Sequence, residues 1–419
     1  MKIAIIGCGA AGATAAQFAR KQNRKAEITI YDNEGYGEYS KCALPLVISG
    51  ELSWNDIVEY SPQWFERVGI NYRHEGVEKI DFDSMEVHAK DVVEYDSIVV
   101  ATGAKAAIPF EAKGAYVLRN MNDALAIKKA ASNAKKAIII GAGLIGMEVA
   151  EALKSLGLGV TILEYMQSIL PNMIDADMAS YLLNNIKGID IKTGCRVKKV
   201  EDGYVETNEG DYEGDFVVIA TGNRASVELC QNCMVERGII VDEYCRVNDS
   251  IYAAGDCTQI KDFFGNDMLV GLGTIAARQG RVAGINAAGG NEKMLPVVSV
   301  KTALLFDIEI ASVGVMQNHA SYHARYSANL LPEYMKGDKI IIKLMASEDG
   351  IIVGGQAIGK NASLYIDRIA YAIYKRMHIK ELAWFENAYA PKVAPVFDAI
   401  NVTSQALLLK TRRKNGRNI

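Results

Sequence analysis

The sequence predicts an α/β chain built around two parallel β-α-β units, and three observations carry that expectation. A short apolar run, Lys2–Ile6, passes straight into Gly7-Cys8-Gly9-Ala10-Ala11-Gly12 and then into a helical stretch. The same order returns at Lys136–Ile140 followed by Gly141-Ala142-Gly143-Leu144-Ile145-Gly146. Each unit closes on a second apolar strand that ends in an acid, Asp32 in the first and Glu164 in the second.

In the first unit the helix is expected over Ala13–Lys21 and the second strand over Glu27–Tyr31. Gly7 permits the tight turn, Gly9 lets backbone approach a pyrophosphate, and Gly12 lets helix and strand pack closely. The phosphate then rests on the positive end of the helix, where free N–H groups point outward, and Ala10 and Ala11 of the turn join the candidate FAD-site residues. Asp32 is spaced to accept a hydrogen bond from a ribose hydroxyl. In the second unit the helix is expected to run to about Leu156 and the strand over Gly159–Leu163. Glu164 suits an unphosphorylated ribose, because a carboxylate repels a 2′-phosphate. Tyr165 and Met166 follow with no Arg or Lys beside them, so NADH is expected rather than NADPH. Two such Rossmann-like units point to two dinucleotides on one chain; the alternative is an internal duplication with one dead site.

Composition narrows the classes. With 419 residues, half of them hydrophobic and 23% charged, the chain is globular and long enough for two or three domains. A net charge of −4 argues against a nucleic-acid partner. The longest apolar stretch, near 137–147, is too short for a bilayer and broken by glycines, and the turn at Gly7 leaves no room for a signal peptide. A cytoplasmic protein without a membrane partner is expected. Seven scattered cysteines do not form a disulfide framework, and no metal site is expected.

Further motifs lie between and after the turns. Ala101-Thr102-Gly103 follows an apolar run, a similar segment ends at Thr221-Gly222, and Ala254-Gly255-Asp256 comes later. The order GxGxxG, ATG, GxGxxG, ATG, AGD closely resembles the FAD-dependent pyridine nucleotide-disulfide oxidoreductases over essentially the whole chain. That resemblance implies two Rossmann-like domains, for FAD and NADH, and a C-terminal α+β dimerisation domain. The implied layout is an FAD domain over 1–111 and 225–294, an NADH domain over 112–224 and a dimerisation domain over 295–419. It further implies that Asp256 and Gly255 hold the flavin's ribityl-phosphate end. Ala101, Thr102 and Gly103 are implied to line the FAD site. Gly141, Gly143, Leu144, Ile145, Gly146, Glu148, Glu164 and Gly222 are implied to line the NADH site. The segment around Gln279-Gly280-Arg281 resembles the family's helix beneath the flavin.

The segment Glu38-Tyr39-Ser40-Lys41-Cys42-Ala43-Leu44-Pro45 selects the branch. One cysteine followed by x-x-Pro resembles the coenzyme A-disulfide reductases and NADH oxidases, and Ala388-Tyr389-Ala390-Pro391 resembles the former. The resemblance implies a homodimer in which Cys42 relays electrons as a thiolate, with Tyr389 as the proton donor or stabiliser of the leaving thiolate. Lys41 and a helix start near Pro45 would favour that thiolate. Thr14, Arg20, Lys21 and Lys41 are the candidate contacts for coenzyme A or another small thiol. Four departures stand out: Glu38 replaces a Ser, Lys41 stands where the branch often has Asn, Phe18 replaces a Gln, and Leu144 replaces a Tyr that covers the flavin. The expected activity is NADH-dependent reduction of coenzyme A disulfide or a related small disulfide or persulfide. The rivals are an NADH oxidase and a redox-sensing flavoprotein without turnover. Cys230 and Cys233 form a C-x-x-C and are expected to be plain thiols, and the basic tail Lys410–Arg417 a solvated end.

Overall fold

The computed structural model describes residues 1–230 and 233–414, with side chains through Thr411. Contacts divide it into two compact units: 1–141, 152–161 and 197–297 form the first, and 142–151, 162–196 and 298–419 the second.

The first unit is built on a five-stranded parallel sheet. Its strands run in the order Ile251–Ala253, Ser97–Val100, Lys2–Ile6, Glu27–Asp32, Ile70–His74. The central strands are near-continuous Ile and Val because both faces are covered, as parallel sheets require. The first helix, Ala10–Gln22, starts three residues before its expected beginning. Gly9 is its extended N-cap, so the two alanines of the turn already lie in its first turn. Gly12 belongs to the helix too, and what it supplies is closeness: a Cβ there would fall on the Gly7 carbonyl. The helix Gly273–Ala287 packs across this first helix through Gly280 and Gly284, where any Cβ would meet the carbonyls of Ala11 and Ala15. Strands Tyr116–Val117, Phe216–Ile219 and Lys136–Ile140 form a second parallel ladder. The second β-α-β unit then continues through helix Leu144–Ser155 and strand Gly159–Glu164.

The second unit carries a five-stranded antiparallel sheet, in the order Lys301–Leu305, Ile308–Gly314, Ile352–Gly359, Lys339–Ala346, Tyr322–Asn329. Helix Ala362–Tyr374 packs on Ile308–Gly314 and Ile352–Gly359, and helix Ala399–Lys414 on Tyr322–Asn329 and Lys339–Ala346. This is the expected α+β domain. Of the basic tail, residues 415–417 lie outside the described residues. No helix among the described residues is long and apolar enough to cross a membrane.

Candidate active site

Both Gly-rich turns have the shape a diphosphate needs. The backbone around Gly9 and Gly143 is open, with nothing within 4 Å of where a Cβ would stand. Gly7 and Gly141 take φ of +108° and +105°, which turns the chain from strand to helix beneath that opening. At the end of the first unit's second strand, Asp32 is buried. Its carboxylate accepts from the Glu34 and Gly35 amides at 3.2 and 3.0 Å, and the Tyr72 hydroxyl also donates to it. Glu164 plays the matching part in the second unit, accepting from the Ala142 amide at 2.6 Å and the Met166 amide at 2.7 Å. Each acid is therefore fixed in direction by backbone donors, and Glu164 reaches into the Gly-rich turn itself. Glu148, on the helix after that turn, is pushed up to about 7 by burial and by Glu151.

The ATG and AGD segments meet in the first unit. Ala101 is buried against the first turn, and Thr102 donates to the Ser226 carbonyl at 2.6 Å. Gly103 and Gly222 both adopt positive φ. Gly255 donates its amide to Gln279 Oε1 at 2.8 Å, while Gln279 Nε2 is buried without a partner. Asp256 is raised by burial, with the Arg119 guanidinium 3.4 Å away pulling the other way. Arg119 escaped the sequence reading. Its one signal was its place just before a helix cap, where Asn120 and Asp123 form a capping box at the start of Met121–Ala131. An open turn, an orphaned buried amide and a cation beside an acid fit the phosphates and polar chain of a flavin dinucleotide.

Cys42 stands exposed on a single 3-10 turn, Lys41–Ala43, that runs directly into helix Leu44–Ser49 with Pro45 in its first turn. Lys41 is paired with Glu34 at 2.8 Å. Tyr39, buried, donates to the same Glu34 and accepts from the Met121 amide at 2.9 Å. Glu34 and Tyr39 were not anticipated; together they tie the cysteine turn to the capped helix beside Arg119. Glu38, half-buried on the short strand before the turn, has one carboxylate oxygen without a partner. Burial and Glu59 push it up to about 7.

The remaining candidates are dispersed. Thr14 lies partly exposed on the first helix. Arg20 donates to the carbonyls of Arg24 and Ala26 at 2.9 and 2.7 Å, and Lys21 sits over the Phe18 ring at 4.3 Å. Leu144, Ile145 and Gly146 open the second unit's helix. Tyr389 belongs to the C-terminal unit, 51% exposed, with its hydroxyl 3.5 Å from that of Tyr334.

Fold and site together define an oxidoreductase with two dinucleotide-binding units and a thiol. Residues 1–280 match the pyridine nucleotide-disulphide oxidoreductase model and residues 300–399 match that family's dimerisation domain. The chain belongs to the pyridine nucleotide-disulphide oxidoreductases, a family that binds FAD and NAD(P)H. An NADH oxidase from Methanocaldococcus jannaschii is 34% identical, over 99% of this chain and 100% of that one. An NAD(P)H coenzyme A polysulfide/persulfide reductase from Pyrococcus horikoshii is 27% identical, over 97% and 98%. Among solved structures, an NAD-dependent persulfide reductase from A. fulgidus superposes with a TM-score of 0.93 at 30% identity, covering 99% of this chain and 84% of that one.

Proposed function

We propose that this protein is an NADH-dependent reductase of coenzyme A disulfide or a closely related small persulfide, working through Cys42. The observation that carries this reading is the exposed Cys42 at a helix entry beside a Lys41 held by Glu34. The ammonium and the helix N-terminus both favour thiolate over thiol, and the thiolate is the nucleophile. Cys42 attacks one sulfur of the substrate, forms a mixed disulfide and releases the first thiolate. Bound FAD would supply, from NADH, the electron pair that breaks the mixed disulfide, returning Cys42 to the thiolate and releasing the second substrate thiolate. Arg119, Asp256 and the open turn at Gly9 are the residues that would hold it. Glu164 would select NADH by accepting from its ribose, being already aligned by the Ala142 and Met166 amides.

A homodimer follows from the dimerisation domain together with a run of exposed apolar side chains near the end of the chain. Trp384, Phe385, Val393, Val396 and Phe397, close together in sequence, are each more than half exposed, apolar surface of the kind a partner subunit covers. In that dimer Tyr389 of one copy would serve Cys42 of the other as donor to the leaving thiolate. NADH oxidation by oxygen is the second reading, favoured by the relative of that name and by Leu144 in place of a covering Tyr.

The test compares acceptors on the FAD-loaded protein with NADH under anaerobic and aerobic conditions. Coenzyme A disulfide or persulfide is expected to sustain anaerobic turnover at a rate well above aerobic oxidation. Turnover with oxygen alone would replace the reductase reading with the oxidase, and no turnover with any acceptor would favour a sensor.

A further inference from the structure

We propose that the adenine of the nicotinamide dinucleotide stacks on Tyr165, which supplies affinity, while its neighbour Glu164 supplies the choice between NADH and NADPH. This rests on the reading of the second Gly-rich turn as the NADH site, and adds to it a residue that touches the ligand. Strand Gly159–Glu164 is buried from Val160 through Glu164. Exposure then jumps: Tyr165 is 65% exposed and Met166 48%, two large apolar side chains in succession at the strand's end. At that exposure the Tyr165 ring adds little to the core and leaves an aromatic face open.

The backbone under the ring is pinned on both sides. The Met166 amide donates to Glu164 Oε1 at 2.7 Å, and the Cys195 amide to the Glu164 carbonyl at 2.9 Å. The Gly194 amide donates to the Met166 carbonyl, also at 2.9 Å. A tyrosine has only two side-chain torsions, so on a fixed backbone it loses little freedom when a ligand arrives.

The chemistry of the ligand puts the base beside this ring. Glu164 is aimed at the turn, where it accepts from the Ala142 amide at 2.6 Å. The ribose hydroxyl it would accept from and the adenine belong to one sugar, so the base lies within a sugar's width of that carboxylate. Tyr165, about 3.8 Å further along the chain, brings its open face within that reach. Adenine is common to NADH and NADPH, which differ at the ribose. Tyr165 therefore acts alike on both dinucleotides, and Glu164 on the difference between them.

The test titrates the FAD-loaded, full-length protein with ADP-ribose, which carries the adenosine end and no nicotinamide and cannot reduce the flavin. By calorimetry Tyr165→Ala is expected to raise Kd about tenfold, the scale of one lost base–aromatic stack, and Tyr165→Phe to stay within about twofold of the parent. NAD⁺ and NADP⁺ are expected to weaken by one common factor in the alanine variant, and nicotinamide mononucleotide, which lacks adenine, to bind unchanged. Tyr165→Leu, of similar bulk and without a π face, is expected to weaken ADP-ribose as well and decides the matter if the alanine variant fails to fold. Equal binding of ADP-ribose by the parent and either of these variants overturns the proposal, as does a loss in Tyr165→Phe as large as in Tyr165→Ala. A parent that binds no ADP-ribose overturns the NADH reading of the turn, and the stacking with it.

Discussion

At the scale of single residues, the proposed thiol chemistry turns on charges beside Cys42. Lys41 is held toward the cysteine turn by Glu34, yet it is about two-fifths exposed, so solvent screens much of its effect. Replacing it with Met is expected to slow iodoacetamide labelling of Cys42 about threefold at neutral pH, because a neighbouring ammonium favours the reactive thiolate. An unchanged rate would assign the activation to the helix entry alone. Glu38 makes a second case. Its carboxyl is pushed up to about 7, so near neutrality it is partly protonated and repels an anionic ligand less than its residue type suggests. A raised acid favours the folded state below its unfolded value near 4.5 and loses that advantage as pH climbs through 7. Glu38→Gln is therefore expected to be more stable than the parent at pH 8, by about 1 kcal/mol after allowing for its exposed part, and to match it near pH 4. Urea midpoints at the two pH values decide it. The same substitution should flatten any improvement in KM for coenzyme A disulfide on going from pH 8 to pH 6.5.

At the scale of elements, the sequence was most legible where geometry leaves few choices. Strand, Gly-rich turn, helix and terminal acid form a local unit whose glycines and carboxylate are dictated within some thirty residues, and both copies stand where the motifs put them. The first helix begins early because the motif names the turn without saying where helical hydrogen bonding starts, and Ala10 and Ala11 are good helix formers. Long-range partners were not legible. Arg119 is 137 positions from Asp256, and no spacing rule joins them. Lys343 is the same kind of case: it sits wholly buried on a strand of the C-terminal unit and reads in sequence as an ordinary surface lysine. Its ammonium pairs with Asp175 at 2.9 Å and Asp177 at 2.6 Å and donates to Gln317 at 2.6 Å. Lys343→Met would strand Asp175 in the interior, at a cost of about 3 kcal/mol in unfolding free energy. Burial tends to raise Asp177, but Lys343 and Arg325 hold it below its usual value near 3.8. Its contribution is present above that pH and is lost as pH falls through the lowered value. Acid titration of stability should accordingly be steeper in the parent than in Lys343→Met; parallel curves would mean that the lysine is not the partner.

At the scale of the molecule, the proposed reading makes the chain an electron relay whose parts divide that labour. The first unit holds the first Gly-rich turn, Asp256 and Cys42; the second holds Glu148, Glu164 and Tyr389. The identity of the acceptor is the least legible feature in the sequence. In the proposed reading it turns on Glu38 and its neighbours, where a change of charge leaves the local strand and turn intact. The central claim is that the Cys42 sulfur carries the electrons out. It is tested most directly by anaerobic NADH consumption with coenzyme A disulfide or persulfide, comparing parent with Cys42→Ser at equal FAD content. The relay predicts that the serine variant keeps its flavin and loses at least about a thousandfold in kcat/KM, since a hydroxyl cannot replace a thiolate nucleophile. A variant that reduces the disulfide as fast as the parent would contradict it.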